Sequence, residues 1–330
     1  MSELVATTPG LYPLPDWAKE ELADLKGHQK EDLIDGDEGE EVVAAYERAR
    51  DEVIGHQREA GLDRTVEGQL RWDDLLAHPL TVHDSVETGG IVRYYDNNNF
   101  YRDPRVVDDL TFSGDVAAEL EAAAESAGDL QAVLPGPYSL ADLATDEHYG
   151  DDADFLAAVA DFLAGEVGAF PDHETLFLLE PSLVERPPGD GADARASAAI
   201  DDVAAATDAD VVVHTYWGAL EEGVYAHLMD ADVEAIGVDL VAGDREDTVY
   251  NLGEYGTKDD VALGLVDGQN TLVEEPSTVR ERIDWLREQV PQSFDTVYAT
   301  SNTELFYLPV SKYREKLATL GAAAAPEVNA

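Results

Sequence analysis

Cysteine is absent from all 330 residues. That excludes disulfides, thiolate nucleophiles and cysteine-ligated metals. Cations are scarce: 21 Lys and Arg stand against 71 Asp and Glu, for a formal net charge of -50. Arg outnumbers Lys among the few present, 15 to 6. A surface so poor in Lys and Arg does not suit nucleic acid, whose phosphates need them. The acidic excess is dispersed along the chain. Its self-repulsion opposes a compact fold in dilute buffer. At ~1 M salt the Debye length falls to about 3 Å and most of that repulsion is screened. The composition therefore points to a salt-loaded cytoplasm. There is no run of about 18 apolar residues, so no membrane span is expected. Met1-Ser2-Glu3-Leu4 opens no basic and then apolar leader, so no signal peptide is expected. No Gly-x-Gly-x-x-Gly turn is present, which argues against a dinucleotide-binding sheet.

Apolar residues make up 44% of the chain, enough for a large core. Short runs rich in Val, Ile, Leu and Thr predict strands at Leu4–Thr7, Arg64–Leu70, Leu130–Leu134, Thr175–Leu179, Asp210–Thr215, Ala235–Leu240, Val261–Val266 and Thr296–Thr300. Longer amphipathic or Ala-rich runs between them predict helices at Glu41–Ala60, Ser113–Ala127, Ala153–Gly168, Asp193–Thr207, Pro276–Gln289 and Val310–Leu320. Ser113 reads as an N-cap, and the last helix is expected to start beyond Val310 because Pro309 adjoins it. About eight strand–helix units imply a parallel sheet closed into a (β/α)8 barrel, with an open doubly wound sheet as the runner-up. The expected layout is one domain over residues 1–321 and a frayed tail over 322–330. One segment breaks the alternation: Arg93-Tyr94-Tyr95-Asp96-Asn97-Asn98-Asn99-Phe100-Tyr101. Its aromatic and amide density predicts a hairpin-like excursion over the barrel mouth, near residues 92–104.

In such a barrel the chemistry sits where strands end. The candidate residues there are Glu67, Arg71, Glu180, His214, Tyr216, Trp217, Asp239, Asp267 and Asn270, with Ser301–Glu304 after the last strand. Carboxylates, amides, one His and aromatics around one cavity suit a polar molecule with a flat ring. Each has a plainer reading beside it. A strand-end Asp or Glu often caps the next helix, and a lone His often serves structure.

Taken in order, these motifs resemble the cobalamin-independent methionine synthase family. The resemblance spans most of residues 60–310. It rests on the Arg93–Tyr101 segment, Gly136-Pro137, Glu180-Pro181, Thr215-Tyr216-Trp217-Gly218, Gly237-Val238-Asp239-Leu240-Val241-Ala242-Gly243, Gly264-Leu265-Val266-Asp267-Gly268-Gln269-Asn270 and Thr300–Val310. Large members of that family have two barrels and move a methyl group from a methyltetrahydropteroyl-polyglutamate to homocysteine. The resemblance is to their N-terminal, zinc-free barrel. It implies methionine biosynthesis, with a methylated tetrahydropterin as co-substrate and a separate zinc-bearing barrel as partner. Arg93 would meet the donor's acidic tail. Asp96, Asn97, Asn98, Asn99, Glu67, Arg71, Tyr216, Trp217 and Asn270 would bind substrate, and Glu180, Asp239 and Asp267 would serve catalysis. The family's catalytic barrel binds zinc through a His-x-Cys pair, a Glu and a later Cys. The matching positions here read His214-Thr215-Tyr216, Asp239 and Asn302-Thr303. His214 is thus the sole candidate metal ligand, and no zinc site is expected from this chain alone. Alternatives are an autonomous methyltransferase with altered ligands, a relative of uroporphyrinogen decarboxylase gripping propionates through Arg71, Arg93 and Arg245, and a non-catalytic folate-binding barrel.

Overall fold

The computed structural model describes residues 2–24, 38–95, 97–189, 191–243 and 245–326. Eleven strands occur among them: β1 (Glu3–Ala6), β2 (Thr65–Val66), β3 (Val86–Arg93), β4 (Phe100–Val106), β5 (Leu130–Pro135), β6 (Thr145–Asp146), β7 (Thr175–Leu179), β8 (Asp210–His214), β9 (Ala235–Asp239), β10 (Asp260–Val266) and β11 (Thr296–Ser301). Eight of them form one parallel sheet in the order β1-β11-β10-β9-β8-β7-β5-β2. Its two edge strands meet. The amides of Asp63 and Arg64 donate to the Ala6 carbonyl (2.9 and 3.3 Å), and the Ala6 amide donates to the Asp63 carboxylate (2.8 Å). The sheet therefore curls into the expected barrel. Val, Leu and Ala side chains of β5, β7, β8, β9, β10 and β11 fill a continuous buried core, as strands covered on both faces require.

The strand at Thr175–Leu179 and the helix at Pro276–Gln289 match the sequence reading to the residue, and most other boundaries shift by one to three residues. The larger differences have local causes. The second strand, expected to reach Leu70, stops at Val66. Gly68 and Gln69 take positive φ (+105° and +50°) and turn the chain, the Gln69 amide donating to Glu67 Oε2 (2.5 Å). Ser113 is not the N-cap. The helix is Asp115–Ala124, Gly114 holds the cap position, and Glu166 Oε1 accepts from the Ser113 amide, the Ser113 hydroxyl and the Gly114 amide. The last helix starts at Val310, since Pro309 in front of it gives up no needed N–H. It also continues to Ala324 with Ala323 buried, so the frayed tail expected from residue 322 is still helix there.

The excursion is an antiparallel hairpin of β3 and β4, pairing Arg93 with Phe100, Val92 with Tyr101 and Ile91 with Arg102. It is longer than expected, because the Gly89-Gly90 pair hides β3 from pattern reading and sits at an irregularity in the register. β6 extends it, parallel to β4. Its tip folds inward. Tyr94 is fully buried, the Tyr95 hydroxyl pairs with Ser182 Oγ (3.0 Å), and the Tyr95 ring lies 5.0 Å from that of Trp217. The hairpin thus covers the C-terminal end of the barrel.

Candidate functional site at the barrel mouth

Three strand-end loops meet on one carboxylate, and a fourth joins them through Asn302. Asp239, at the end of β9, is 1% exposed. Its Oδ1 accepts from the Val241 and Ala242 amides (2.7 and 2.8 Å), and its Oδ2 accepts from the Trp217 amide (3.0 Å) and Asn302 Nδ2 (2.9 Å). Asn302 in turn accepts the Gly268 amide on its Oδ1 (3.0 Å). The loops after β8, β9, β10 and β11 are therefore wired together. Burial raises the Asp239 pKa, and these hydrogen bonds oppose the rise. The group acts as a positioning residue: every lone pair within reach is spent on the protein.

Glu180 follows β7 and is fully buried. Its Oε1 accepts from the Tyr138 amide (3.0 Å), and its Oε2 accepts from the Ser139 amide and hydroxyl (2.7 and 2.6 Å). It thus satisfies the orphan amides at the start of the helix Pro137–Asp142. A Cβ on Gly136 would collide with the Glu180 carboxyl, so the Gly136-Pro137 and Glu180-Pro181 motifs interlock. Burial pushes the Glu180 carboxyl up to about 7. The plainer reading, a helix cap, accounts for this residue.

His214, at the end of β8, is buried with Nε2 3.1 Å from the Ser301 carbonyl, so that nitrogen carries the proton. Nδ1 is buried without a partner and faces Gly237, where any Cβ would fall 2.5 Å from it. Burial lowers the His214 pKa to about 4, so the ring is neutral at neutral pH.

A cavity of about 300 Å³ opens beside this clamp, lined by Tyr95, Asn97, Glu185, Trp217 and Gln269. Tyr95 and Trp217 form one wall. Both hold positive φ (49° and 64°), a costly backbone state for bulky residues and one that concentrates at functional sites. The Asn97 side chain accepts the Asn99 amide (2.9 Å) on Oδ1, while its Nδ2 is buried without a partner. Asn99 closes the turn by accepting the Tyr94 amide, and Asn98 is exposed. Arg93 is exposed at the end of β3, and Asp96 lies outside the described residues. Arg186, which the sequence reading passed over, stacks its guanidinium 4.9 Å from the Tyr95 ring and pairs with Asp142 (3.2 Å).

Other expected site residues are engaged with neighbours of their own. Arg71 is held by Glu38 (2.5 Å) and Glu119 (2.8 Å) and lies over the Tyr46 ring, so its charge is spent within the protein. Glu67 is buried in the same network, its pKa raised by burial. The neighbouring Glu119 carboxyl is pushed up to about 8 by burial and by Glu67. Asp267 and Asn270 shape their own loop. Asp267 Oδ1 accepts the Gln269 and Asn270 amides, and Asn270 Oδ1 accepts the Leu272 amide.

Comparison with known proteins places this mouth in a family. Residues 82–291, well over half of the chain, match the family described as cobalamin-independent synthase, N-terminal domain. The chain belongs to the cobalamin-independent methionine synthase family. A methionine synthase of Saccharolobus solfataricus is 23% identical over 306 residues, covering 87% of this chain and 84% of the relative. That of Sulfurisphaera tokodaii is 25% identical over 167 residues, which is 50% of this chain and 47% of the relative. The solved structure of a B12-independent methionine synthase from Shewanella sp. W3-18-1, in complex with selenomethionine, superposes with a TM-score of 0.79. It is 18% identical and the match covers 97% of this chain and 96% of that one. A putative B12-independent methionine synthase from Listeria monocytogenes gives 0.68 at 16% identity over 98% of both chains. At these identities the two structures establish the shared fold.

Zinc does not fit the residues at the positions where the resemblance implies a metal site in related barrels, His214, Asp239 and Asn302. Tyr216 offers no thiolate, His214 Nε2 is turned to the Ser301 carbonyl, and Asp239 accepts a hydrogen bond from Asn302. Zinc takes about four ligands from thiolate, imidazole and carboxylate groups, and one imidazole beside a carboxylate already occupied by four hydrogen bonds does not supply them. Among the described residues the only trio with ligand atoms close enough for a metal is Asp108, Asp109 and His148, all exposed.

The feature the sequence reading left unused is Glu304. It is fully buried just beyond β11, and neither carboxyl oxygen has a hydrogen-bond partner. Burial pushes its carboxyl up to about 7. The hydroxyls of Tyr94, Tyr216 and Tyr307 are likewise buried and unpartnered, and all three rings lie within reach of the Glu304 charge.

Proposed function

We propose that this barrel takes part in methionine biosynthesis, as the donor-side component in methyl transfer from a methylated tetrahydropterin to homocysteine, paired with a zinc-bearing barrel. The observation that carries this reading is the Asp239–Asn302 hydrogen bond at the family's metal positions, in a chain without thiols. Homocysteine needs its thiol ionised to accept a methyl group, and zinc coordination does this efficiently near neutral pH. The residues here tie loops together instead, so the thiol would be activated on another polypeptide. The cavity between Tyr95 and Trp217 has aromatic walls and an unpaired Asn97 amide, which suits a flat heterocycle. Arg93 stands at the base of the hairpin turn, where it would meet an acidic tail. Ile91 and Phe100 are exposed on the same face of the hairpin, apolar surface suited to a partner barrel. The decarboxylase alternative loses two of its three cations. Arg71 is paired as described, and Arg245 donates to the Leu240 carbonyl and stacks on Trp285.

The test is reconstitution at high salt. The chain, a zinc-bearing barrel of the family, homocysteine and a methyltetrahydropterin are assayed together and singly for methionine. Transfer that requires both chains supports the reading. Transfer by this chain alone after exhaustive chelation overturns it.

A further inference from the structure

We infer that Glu304 and the hydroxyls of Tyr94, Tyr216 and Tyr307 form a binding site for a small organic ammonium ion, reached through the cavity walled by Tyr95 and Trp217. The site does not rest on the methyl-donor reading above, although it shares that reading's cavity as its entrance.

The first argument is polar bookkeeping at full burial. Both oxygens of Glu304 and all three hydroxyls lack hydrogen-bond partners although each atom is out of contact with solvent. An unmet buried polar group costs about 1–3 kcal/mol, so five together are not an accident of packing. They come from three separate segments: the hairpin tip, the loop after β8 and the loop after β11.

The second argument is the sign of the charge. A carboxylate only accepts, and a tyrosine hydroxyl can accept as well as donate. Burial is the main influence on Glu304, and no cation among the described residues offsets it. The complement must therefore bring donors and positive charge, as a primary ammonium does with three N–H groups. An anion would be repelled.

The third argument separates an organic cation from a metal ion. The rings of Tyr94, Tyr95, Trp217 and Tyr216 touch in an unbroken chain, with centroid separations of 4.8, 5.0 and 5.3 Å. Aromatic surroundings of this kind favour weakly hydrated organic cations. Among the described residues Glu304 belongs to no trio of carboxylate or imidazole groups close enough to hold a metal.

The fourth argument is access. Tyr94 and Tyr216 are sealed from solvent, but the rings packed on them, Tyr95 and Trp217, face the cavity. Tyr95 and Trp217 both hold strained positive φ. Relief of that strain would move the rings and open the way to Glu304.

The site predicts its own pH dependence. Tyr94, Tyr216 and Tyr307, the titratable groups that face Glu304, have pKa values raised by burial and stay protonated. Glu304 must ionise to hold the cation, so affinity rises as pH climbs through about 7 and then levels.

The experiment uses the full chain in about 1 M NaCl, where non-specific attraction to the acidic surface is screened. n-Butylammonium chloride is titrated by calorimetry and by tryptophan fluorescence, with butyrate and butan-1-ol as probes of equal size. Saturable binding of butylammonium alone is expected, weakened at least about tenfold in Glu304→Gln, the loss of one charge-assisted hydrogen bond. Tyr307→Phe, which removes one hydroxyl and keeps the ring, is expected to weaken it several-fold and stands in should Glu304→Gln fail to fold. Binding that is absent, equal for butan-1-ol, or unchanged in both variants overturns the proposal. So does complete competition when KCl replaces NaCl at equal strength, which would mark a site for inorganic cations.

Discussion

Asn302 Nδ2 donates to Asp239 Oδ2 across 2.9 Å and so joins the loop after β11 to the end of β9. Asp239 also holds the backbone of the loops after β8 and β9. Asp239→Ala would leave three backbone amides and one side-chain amide without their acceptor. The expected cost is on the order of 3 kcal/mol or more, from unmet buried donors at about 1–3 kcal/mol each. Asn302→Ala removes only one link in each direction and is expected to cost less. Because both act through the same contact, the double variant should be more stable than the sum of the two losses predicts. Urea unfolding of the four proteins measures this, and strict additivity would refute the clamp.

Lys316 is one of six lysines and has no exposed surface. Its Nζ donates to the Leu272 carbonyl (2.6 Å) and to Glu274 (2.9 Å), while Glu274 accepts the Asp267 amide. Lys316→Ala leaves the largely buried Glu274 without its cation at the loop after β10. The expected loss is about 3–5 kcal/mol. Lys316→Met, Glu274→Gln together should recover much of it, since the paired charges are removed at once. A double variant no better than Lys316→Ala would show that the ion pair is not what the helix Val310–Ala324 contributes here.

Stability as a function of pH carries a signature of Glu304. Its folded pKa, up to about 7, exceeds the unfolded value. Between the unfolded pKa and about 7 the native state binds more protons than the unfolded one, so stability falls as pH rises through that window. Glu180 acts in the same direction, and Glu119 does so up to about 8. His214, lowered to about 4, acts oppositely, and its contribution is lost as pH falls from its unfolded pKa toward 4. Thermal melts of wild type and Glu304→Gln isolate the Glu304 share. The variant should gain relative to wild type as pH rises toward 7 and beyond. Parallel melting curves at every pH would remove Glu304 from the account.

Salt should be required for the fold. With a net charge of -50, lowering salt from about 1 M to about 0.1 M lengthens the Debye length from about 3 Å to about 10 Å and restores repulsion across the surface. A melting temperature that falls on dilution is expected by circular dichroism. A flat response would mean that local ion pairs such as Arg71–Glu38 offset the excess.

The barrel was legible because its signals are local. Thr175–Leu179 is a threonine and four apolar residues between two glutamates, and a strand covered on both faces must read that way. The excursion around Tyr94–Asn99 was visible for the opposite reason: nothing in a strand–helix alternation calls for two tyrosines and three asparagines in a row. The full hairpin was not, since Gly89-Gly90 erases the alternation in β3. Glu67 and Arg71 sit at a strand end in the sequence, yet Gly68 turns the chain and delivers them to an ion-pair network with Glu38 and Glu119.

Taken alone, the sequence determined the charge, the lack of thiols, the strand–helix alternation and the family's motifs, because each is a property of neighbouring residues. Only the tertiary structure decided which strand-end residues are clamps and which are unspent. Asp239 and Glu180 spend their oxygens on backbone amides and on the side chains of Asn302 and Ser139 that folding brings to them. Glu304 hydrogen-bonds to none of the hydroxyls that feel its charge, which belong to tyrosines drawn from positions 94, 216 and 307. No local pattern encodes that convergence; it arises when the hairpin closes over the barrel.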